Sequence, residues 1–274
     1  MSSEKFVDMH MHSTFSDGVH TPVKLVEMAI RKGLSAISLS DHDIVDGFVE
    51  LKPAAEAEGL EVMSGVELSC ENEGRDCHML GYGVSVTHER LQEMLRKFRD
   101  TREHRGIMIV EKLREYGVNL DMDAILAKTG DGALGRPHIA EALLEGGHVS
   151  NIPEAFARYI GEDCPAYVDK YKMTPTEAVE LIHEAGGVAL LAHPGDNLQD
   201  PGGFEALLDL GVDGIEVHHP HHKPPVVKAL LEIAERRDLL VSGGSDFHGF
   251  AGRENMGEPK VPYALFERVR DRLA

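Results

Sequence analysis

The sequence predicts an α/β protein: a parallel sheet or barrel of short strands with helices outside it, interrupted by a helical insertion. Three observations carry this. Short apolar runs alternate with helical periods through the first part of the chain and again from Thr174 onward. That rhythm breaks between His88 and about Cys164, where helical periods recur without a convincing strand. Histidines and carboxylates gather at the carboxyl ends of the apolar runs, the end at which parallel α/β proteins carry their chemistry.

Composition bounds the function. With 274 residues and 42% hydrophobic content the chain buries a sizeable core, as one large domain or a domain with an insertion. A net charge of −19 argues against a surface that grips long nucleic acid through many phosphates. No apolar stretch is long enough to cross a bilayer, and Met1-Ser-Ser-Glu-Lys5 lacks the plan of a secretory signal, so a cytoplasmic protein is expected. Cys70, Cys77 and Cys164 show no Cys-x-x-Cys spacing and read as reduced thiols. The 16 histidines are the outlying feature.

In chain order, Phe6–Met9 reads as a buried strand leading into His10 and His12, whose spacing of two sets both imidazoles on one side. Asp17 follows in a Ser-Asp-Gly turn that can fold a carboxylate back toward them. Taken alone, the pair reads equally well as hydrogen-bonded histidines at a strand end. Pro22–Lys32 has helical spacing at Val23, Val26, Ala29 and Ile30 and stops at Gly33. Ala36–Leu39 is a strand ending in Ser40-Asp41-His42-Asp43. Gly47–Glu58 is a helix closed by Gly59, Leu60–Leu68 a strand with Glu67 near its end, and Cys77–Tyr82 a strand with His78 near its start.

The expected insertion covers 88–165, between barrel segments 1–87 and 166–274. Its first helical faces are Leu91, Met94, Leu95, Phe98 and then Ile107, Val110, Leu113, Tyr116. Within it lies Leu134-Gly135-Arg136-Pro137-His138, a loop whose proline opens the next helix. Beyond it, Thr174-Pro175-Thr176-Glu177 starts a helix ending at Gly186-Gly187. The strand Val188–Ala192 ends in His193, Gly214–Val217 in the run His218-His219-Pro220-His221-His222, and Leu239–Ser242 in Gly243-Gly244-Ser245-Asp246-Phe247-His248. Helices over Phe204–Leu210, Pro225–Arg236 and from Pro262 complete the pattern.

His10, His12, His42, Glu67, His193, Asp246 and His248 thus fall at or just past strand ends, with Asp17 and His78 nearby. Their convergence on one end of a sheet predicts a multinuclear site. A donor set of imidazole and carboxylate without thiolate suits Mn²⁺, Zn²⁺ or Fe²⁺.

The segments Asp8-Met-His-Met-His-Ser13, Ser40-Asp-His-Asp43, Gly65-Val-Glu67, Ala192-His-Pro194 and Gly244-Ser-Asp-Phe-His248 resemble, in order, the motifs of the polymerase and histidinol phosphatase (PHP) family of phosphoesterases. The resemblance implies a distorted (β/α)₇ barrel holding two or three divalent ions, Mn²⁺ first among them. It implies His10, His12, Glu67 and Asp246 around one metal, Glu67, His78 and His193 around a second, and Asp17, His42 and His248 around a third. Some members carry histidine where this chain has Asp17. The insertion, Gly135-Arg-Pro-His138 and Glu216-Val-His-His-Pro220 resemble the stand-alone branch that dephosphorylates nucleotides, including nucleoside 3′,5′-bisphosphates, and trims RNA from its 5′ end.

Charge supports such chemistry. Asp17, Glu67 and Asp246 contribute about −3 against +4 or +6 from the ions, leaving a pocket of about +1 to +3 in an acidic protein. A metal-bridging hydroxide attacking phosphorus in line is the expected mechanism, with Asp246 or His193 as proton acceptor. Arg136, with His138 beside it, is the candidate grip on a second phosphate, and His219 and His222 are further candidate substrate contacts. The expected partner is a small phosphorylated molecule, a nucleotide or short RNA 5′ end, with no membrane. Histidinol-phosphate hydrolysis and amidohydrolase-type C–N hydrolysis are the alternatives. The latter calls for a bridging lysine at a strand end, and a non-catalytic metal-binding module is a third reading.

Overall fold

The computed structural model describes residues 4–129, 134–169, 171–250 and 255–274. The chain runs β1 (Phe6–Asp8), α1 (Pro22–Lys32), β2 (Ala36–Leu39), α2 (Gly47–Glu58), β3 (Glu61–Asn72) and β4 (Arg75–Tyr82). The helices α3 (Glu89–Glu115), α4 (Met122–Thr129), α5 (Arg136–Glu145) and α6 (Ile152–Ala155) follow. Then come α7 (Pro175–Glu184), β5 (Val188–Leu191), α8 (Pro201–Leu208), β6 (Gly214–His218), α9 (Pro224–Arg237), β7 (Leu240–Gly243), β8 (Val261–Pro262) and α10 (Tyr263–Arg272).

The strands form one nearly closed barrel in the order β7-β6-β5-β4-β3-β2-β1-β8. The chain beyond β1 meets the chain beyond β7, through Met9 N–H donating to Gly243 O at 3.2 Å and a parallel bridge between Met11 and Phe247. Most neighbours are parallel, but β4 runs antiparallel to both β3 and β5, and β8 antiparallel to β1. The reversal of β4 corrects the all-parallel expectation and explains one motif. An antiparallel strand begins where its neighbours end, so His78 near the start of β4 lies at the same end of the barrel as the carboxyl termini of the others. Opposite Leu80, Glu67 lies in mid-strand rather than at a strand end. The β3–β4 ribbon continues past the barrel to a tight turn at Glu73-Gly74, both with positive φ.

Local chemistry sets the helices. Thr21 caps α1 by accepting from Lys24 N–H, and Gly33 closes it in the left-handed conformation that glycine adopts without strain. Its core face is Leu25, Val26 and Ala29, whereas Val23 and Ile30, expected there, are exposed. Thr174 and Glu177 form a reciprocal capping box at α7.

The two helical periods expected at the start of the insertion are one 27-residue helix, α3, about 40 Å long. Leu91, Leu95 and Phe98 in its first half pack into the barrel's outer core, while Ile109, Val110 and Leu113 in its second half join a separate apolar cluster with Ile139, Leu143 and Ile160. Ile107 and Tyr116, expected on the buried face, are exposed. Among the described residues no helix is long and apolar enough to cross a membrane.

Gly244, after β7, is where the barrel end is tightest. A Cβ there would overlap the backbone nitrogen and Cβ of His10. Gly244→Ala is expected to displace β1 at His10 and to destabilise by about 1–3 kcal/mol, the usual cost of overpacking. Thermal unfolding should show Tm lowered by several degrees; an unchanged Tm would contradict this packing.

Candidate metal centre

Glu67 lies at the centre of the site and is 1% exposed. Its Oε2 is 3.1 Å from His10 Nε2, 3.3 Å from His12 Nε2 and 3.2 Å from His42 Nδ1. Its Oε1 is 2.8 Å from His78 Nδ1 and 3.0 Å from His193 Nε2. Asp246 Oδ1 lies 3.0 Å from His12 Nε2 and 3.5 Å from His10 Nε2. Asp17 Oδ1 lies 3.3 Å from His248 Nε2, and Asp17 Oδ2 3.9 Å from His42 Nε2. All the residues expected as ligands therefore come together.

Their donor atoms form three groups able to hold an ion, each with atoms mutually within 4.8 Å: His10, His12, Glu67 and Asp246; His12, Asp17, His42 and His248; and His42, Glu67 and His78. The first matches the expected set. In the second His12 joins the three expected residues, and His42 stands beside Glu67 and His78 as well as beside Asp17. His193 also keeps its expected place, with Nε2 3.3 Å from His78 Nδ1.

Hydrogen bonding sets the tautomers. His10 Nδ1–H donates to Glu216 Oε1 at 2.9 Å, which turns the Nε2 lone pair toward the Glu67 and Asp246 oxygens. His248 Nδ1–H donates to the Asp246 carbonyl at 2.9 Å and turns Nε2 toward Asp17. Lone pairs facing carboxylate oxygens repel unless a positive charge lies between them. His12 Nδ1, His42 Nδ1 and Asp17 Oδ1 are buried without a hydrogen-bond partner, although opposite groups are close, so their lone pairs are aimed at shared space rather than at one another. That is the arrangement a cation satisfies.

Titration follows the same geometry. Burial disfavours the Glu67 carboxylate, but His42, His78 and His10 outweigh it and hold its pKa well below the ordinary value. Burial likewise opposes charge on His10, and Glu216, Glu67 and Asp246 raise it regardless. Burial pushes His42 down to about 3, more than Glu67 and Asp17 recover, so this ring is neutral as a ligand must be. Against burial, the Asp17 contact takes His248 up to about 9, so in the metal-free protein a proton lies between these two groups, and a cation binding there displaces it.

A supporting shell escaped the sequence reading. Glu216, fully buried on β6, accepts from His10 Nδ1–H and, at 2.8 Å, from the His193 backbone N–H. Asp41 accepts from Ser13 N–H and Oγ–H at 2.7 Å each and from Ser16 Oγ–H at 2.6 Å, pinning the loop that carries Asp17. Asp8 accepts from Ser245 and Gly257 N–H and holds the loop carrying Asp246. The available signal was a lone carboxylate in each of three apolar strands or strand ends. Asp43, His193 and Asp246 also hold positive φ, a conformation that packing must enforce and that gathers at functional sites.

The expected substrate contacts divide. Arg136 lines a cavity of about 210 Å³ with Arg102 and Arg105, open to Asp17, His42 and His78. The two α3 arginines were not anticipated, because nothing in the sequence shows α3 passing the site. His138 does not stand beside Arg136 in that cavity. Its Nδ1 accepts from Gly135 N–H at 3.0 Å, capping α5, and its ring faces a different cavity across Pro137. His219 is buried, with Nε2 3.5 Å from Asp246 Oδ2, and lines the main cavity of about 600 Å³. His222 is corrected: its Nδ1–H donates to Val217 O at 2.8 Å and its Nε2 accepts from Gly195 N–H at 3.0 Å, so it braces two loops and has no ring nitrogen left for a ligand.

Removing an outer partner of a metal-binding histidine typically weakens affinity about 10- to 100-fold. Glu216→Ala is expected to lower Mn²⁺ affinity by that factor in isothermal titration calorimetry, whereas unchanged affinity would remove Glu216 from the supporting shell.

Comparison with known proteins agrees with this geometry. The PHP domain family matches residues 8–162. The chain is 36% identical to a 5′-3′ exoribonuclease of Haemophilus influenzae, covering 93% of this chain and 94% of that one. It is 32% identical to a 3′,5′-nucleoside bisphosphate phosphatase of Chromobacterium violaceum, with 90% of each covered. It is 30% identical to a phosphoribosyl 1,2-cyclic phosphate 1,2-diphosphodiesterase of Eggerthella lenta, covering 90% and 95%. Among solved structures, a protein from Bifidobacterium adolescentis described as a candidate metal-dependent phosphoesterase superposes with TM-score 0.89 at 32% identity, covering 98% and 96%. A Chromobacterium violaceum protein described as an amidohydrolase with bound sulfate and no metal superposes with TM-score 0.82 at 28% identity, covering 97% and 96%. With its barrel, its caged Glu67 and relatives that act on phosphate esters, the chain belongs to the PHP family of metal-dependent phosphoesterases.

Proposed function

We propose that this phosphoesterase acts on nucleotides carrying a second phosphate, either nucleoside 3′,5′-bisphosphates or the 5′-phosphorylated end of a short RNA. The observation that carries this is the cavity where Arg102, Arg105 and Arg136 converge directly beside the caged carboxylates. Burial, with the Arg136 charge adding to it, depresses Arg105 to about 10, so Arg105 and Arg136 repel each other, while Arg102 is held by an ion pair with Asp43. In a chain of net charge −19, such a cluster is a phosphate site. Relatives named for a bisphosphate and for RNA are those whose substrates have two phosphates a sugar apart.

In this reading His10, His12, Glu67 and Asp246 would hold one ion, Glu67 with His78 and His193 a second, and Asp17, His42 and His248 a third. Mn²⁺ suits this donor set, as do Zn²⁺ and Fe²⁺. Bound there, the ions lower the pKa of water and offset charge on the phosphoryl oxygens. Asp246, a quarter exposed, turns Oδ2 toward the main cavity and takes the proton from the attacking water, with His219 steadying that oxygen and His193 fixed beside Glu67. Segment 88–165 works as a cap: α3 carries Arg102 and Arg105, and the start of α5 carries Arg136, over the mouth of the barrel. An ion pair between Arg102 and Asp43 ties that cap to the loop holding His42. The C–N hydrolase alternative is disfavoured because the bridging position is filled by a carboxylate, Glu67, rather than by lysine.

His10→Ala and Asp246→Asn are each expected to abolish phosphate release while circular dichroism stays native; full activity in either would refute the proposed centre. Arg136→Ala should raise KM for a 3′,5′-bisphosphate about 10- to 100-fold, the worth of a charge-assisted contact, and far less for a monophosphate. Equal effects on both substrates would remove Arg136 from recognition.

A further inference from the structure

Besides a small cavity beside His219 and Asp246 that Phe250 also borders, Pro137 separates two cavities that both reach Asp17. One is the arginine cavity. The other, of about 500 Å³, has no role in the reading above, and its walls differ in kind. Two of them are the aromatic rings of Phe15 and Phe250. Phe250 is 41% exposed, an unusual state for a large apolar ring at the edge of a charged centre. One face of it stacks on His248, with centroids 5.7 Å apart and planes 11° from parallel, which holds the ring in a fixed orientation and leaves the other face unpaired with any aromatic ring among the described residues. The rim supplies hydrogen-bonding groups of both signs. Glu50 and Glu141 are acceptors, and the donors are Lys128, ion-paired with Glu145, and the Nε2–H of His138, whose Nδ1 already accepts from Gly135 N–H.

We infer that this cavity is a nucleobase site in which Phe250 stacks the base of the nucleotide whose ester phosphate lies at the metal centre. The inference rests on the nucleotide reading above and adds the residue that recognises the base. Charge decides between the cavities: the carboxylates of Asp17, Glu50 and Glu141 outweigh Lys128, which is already ion-paired with Glu145, and repel a phosphate that the arginines attract, so an uncharged flat ring with donor and acceptor edges fits here and an anion does not. Proximity decides the rest, because His248, the residue beneath Phe250, is itself one of the groups facing Asp17. A base on Phe250 and a phosphate between the caged carboxylates then belong to one nucleotide, with the second phosphate on the arginine side of Pro137.

The test uses Mn²⁺-loaded protein and two substrates, adenosine 3′,5′-bisphosphate and the corresponding sugar bisphosphate lacking the base. The unsubstituted protein is expected to favour the nucleotide in KM by about 10-fold, the order of one base–aromatic stack. Phe250→Ala should erase that advantage and Phe250→Trp restore it. A 2-aminopurine version of the nucleotide should be quenched on binding to the unsubstituted protein and not to Phe250→Ala. Equal KM for both substrates in the unsubstituted protein, or an advantage that survives Phe250→Ala, overturns the base site while leaving the phosphoesterase reading intact. Failure to hydrolyse either substrate overturns the bisphosphate reading and the base site with it.

Discussion

The structure is organised around one buried carboxylate, Glu67, whose charge must be met by positive charge held among the imidazoles that surround it. Glu67 has His10, His12, His42, His78 and His193 within 3.3 Å, drawn from three different strand ends and from the start of an antiparallel one. An ionised carboxylate sealed from water is costly unless positive charge meets it. The tautomers imposed by Glu216 and by the Asp246 carbonyl turn lone pairs inward instead of N–H groups, so the site asks for cations rather than merely tolerating them. Outer carboxylates Asp8, Asp41 and Glu216 hold backbone and ring positions fixed, which is what keeps so many like dipoles aimed at a common space.

That electrostatic demand also explains how an acidic protein handles an acidic substrate. The barrel concentrates cation-binding groups at one end, and the helical segment crosses it with arginines at i, i+3 spacing on α3, Arg102 and Arg105, joined by Arg136 from α5. Because α3 is packed into the barrel core at one end and into a separate apolar cluster at the other, those arginines ride on a beam rather than a loop. Pro137 divides the approach into a cationic side and an aromatic side, so charge and shape sort the parts of a nucleotide before chemistry begins.

Much of this was legible in the sequence, for a physical reason. Parallel strands read as unbroken apolar runs, and a histidine or carboxylate abruptly following one, as at His42, His193 and Asp246, sits at the end where chemistry collects. What was hidden depends on pairing and direction. The antiparallel run of β4 is invisible without knowing its partners, although it is what brings His78 to the site. The polar β3–β4 ribbon beyond Leu68 lacks the apolar pattern of a barrel strand because it leaves the barrel. Glu216 stood between Ile215 and Val217 as a charge in an apolar strand, but its role needs the ring of His10 from a distant part of the chain. The face of α1 was misjudged at Val23 and Ile30 because apolar residues on a helix edge share the period of those on its buried stripe. His222 had the composition of a ligand and the bonding of a brace, a distinction only its backbone partners reveal.

The central claim is that the cage around Glu67 binds ions. Anomalous diffraction from crystals grown with Mn²⁺, recorded on both sides of the manganese absorption edge, tests it directly. The account predicts at least two manganese peaks within coordinating distance of the Glu67 carboxylate, one of them also beside His10, His12 and Asp246. Ordered crystals grown in saturating Mn²⁺ with no anomalous density between these side chains would contradict it.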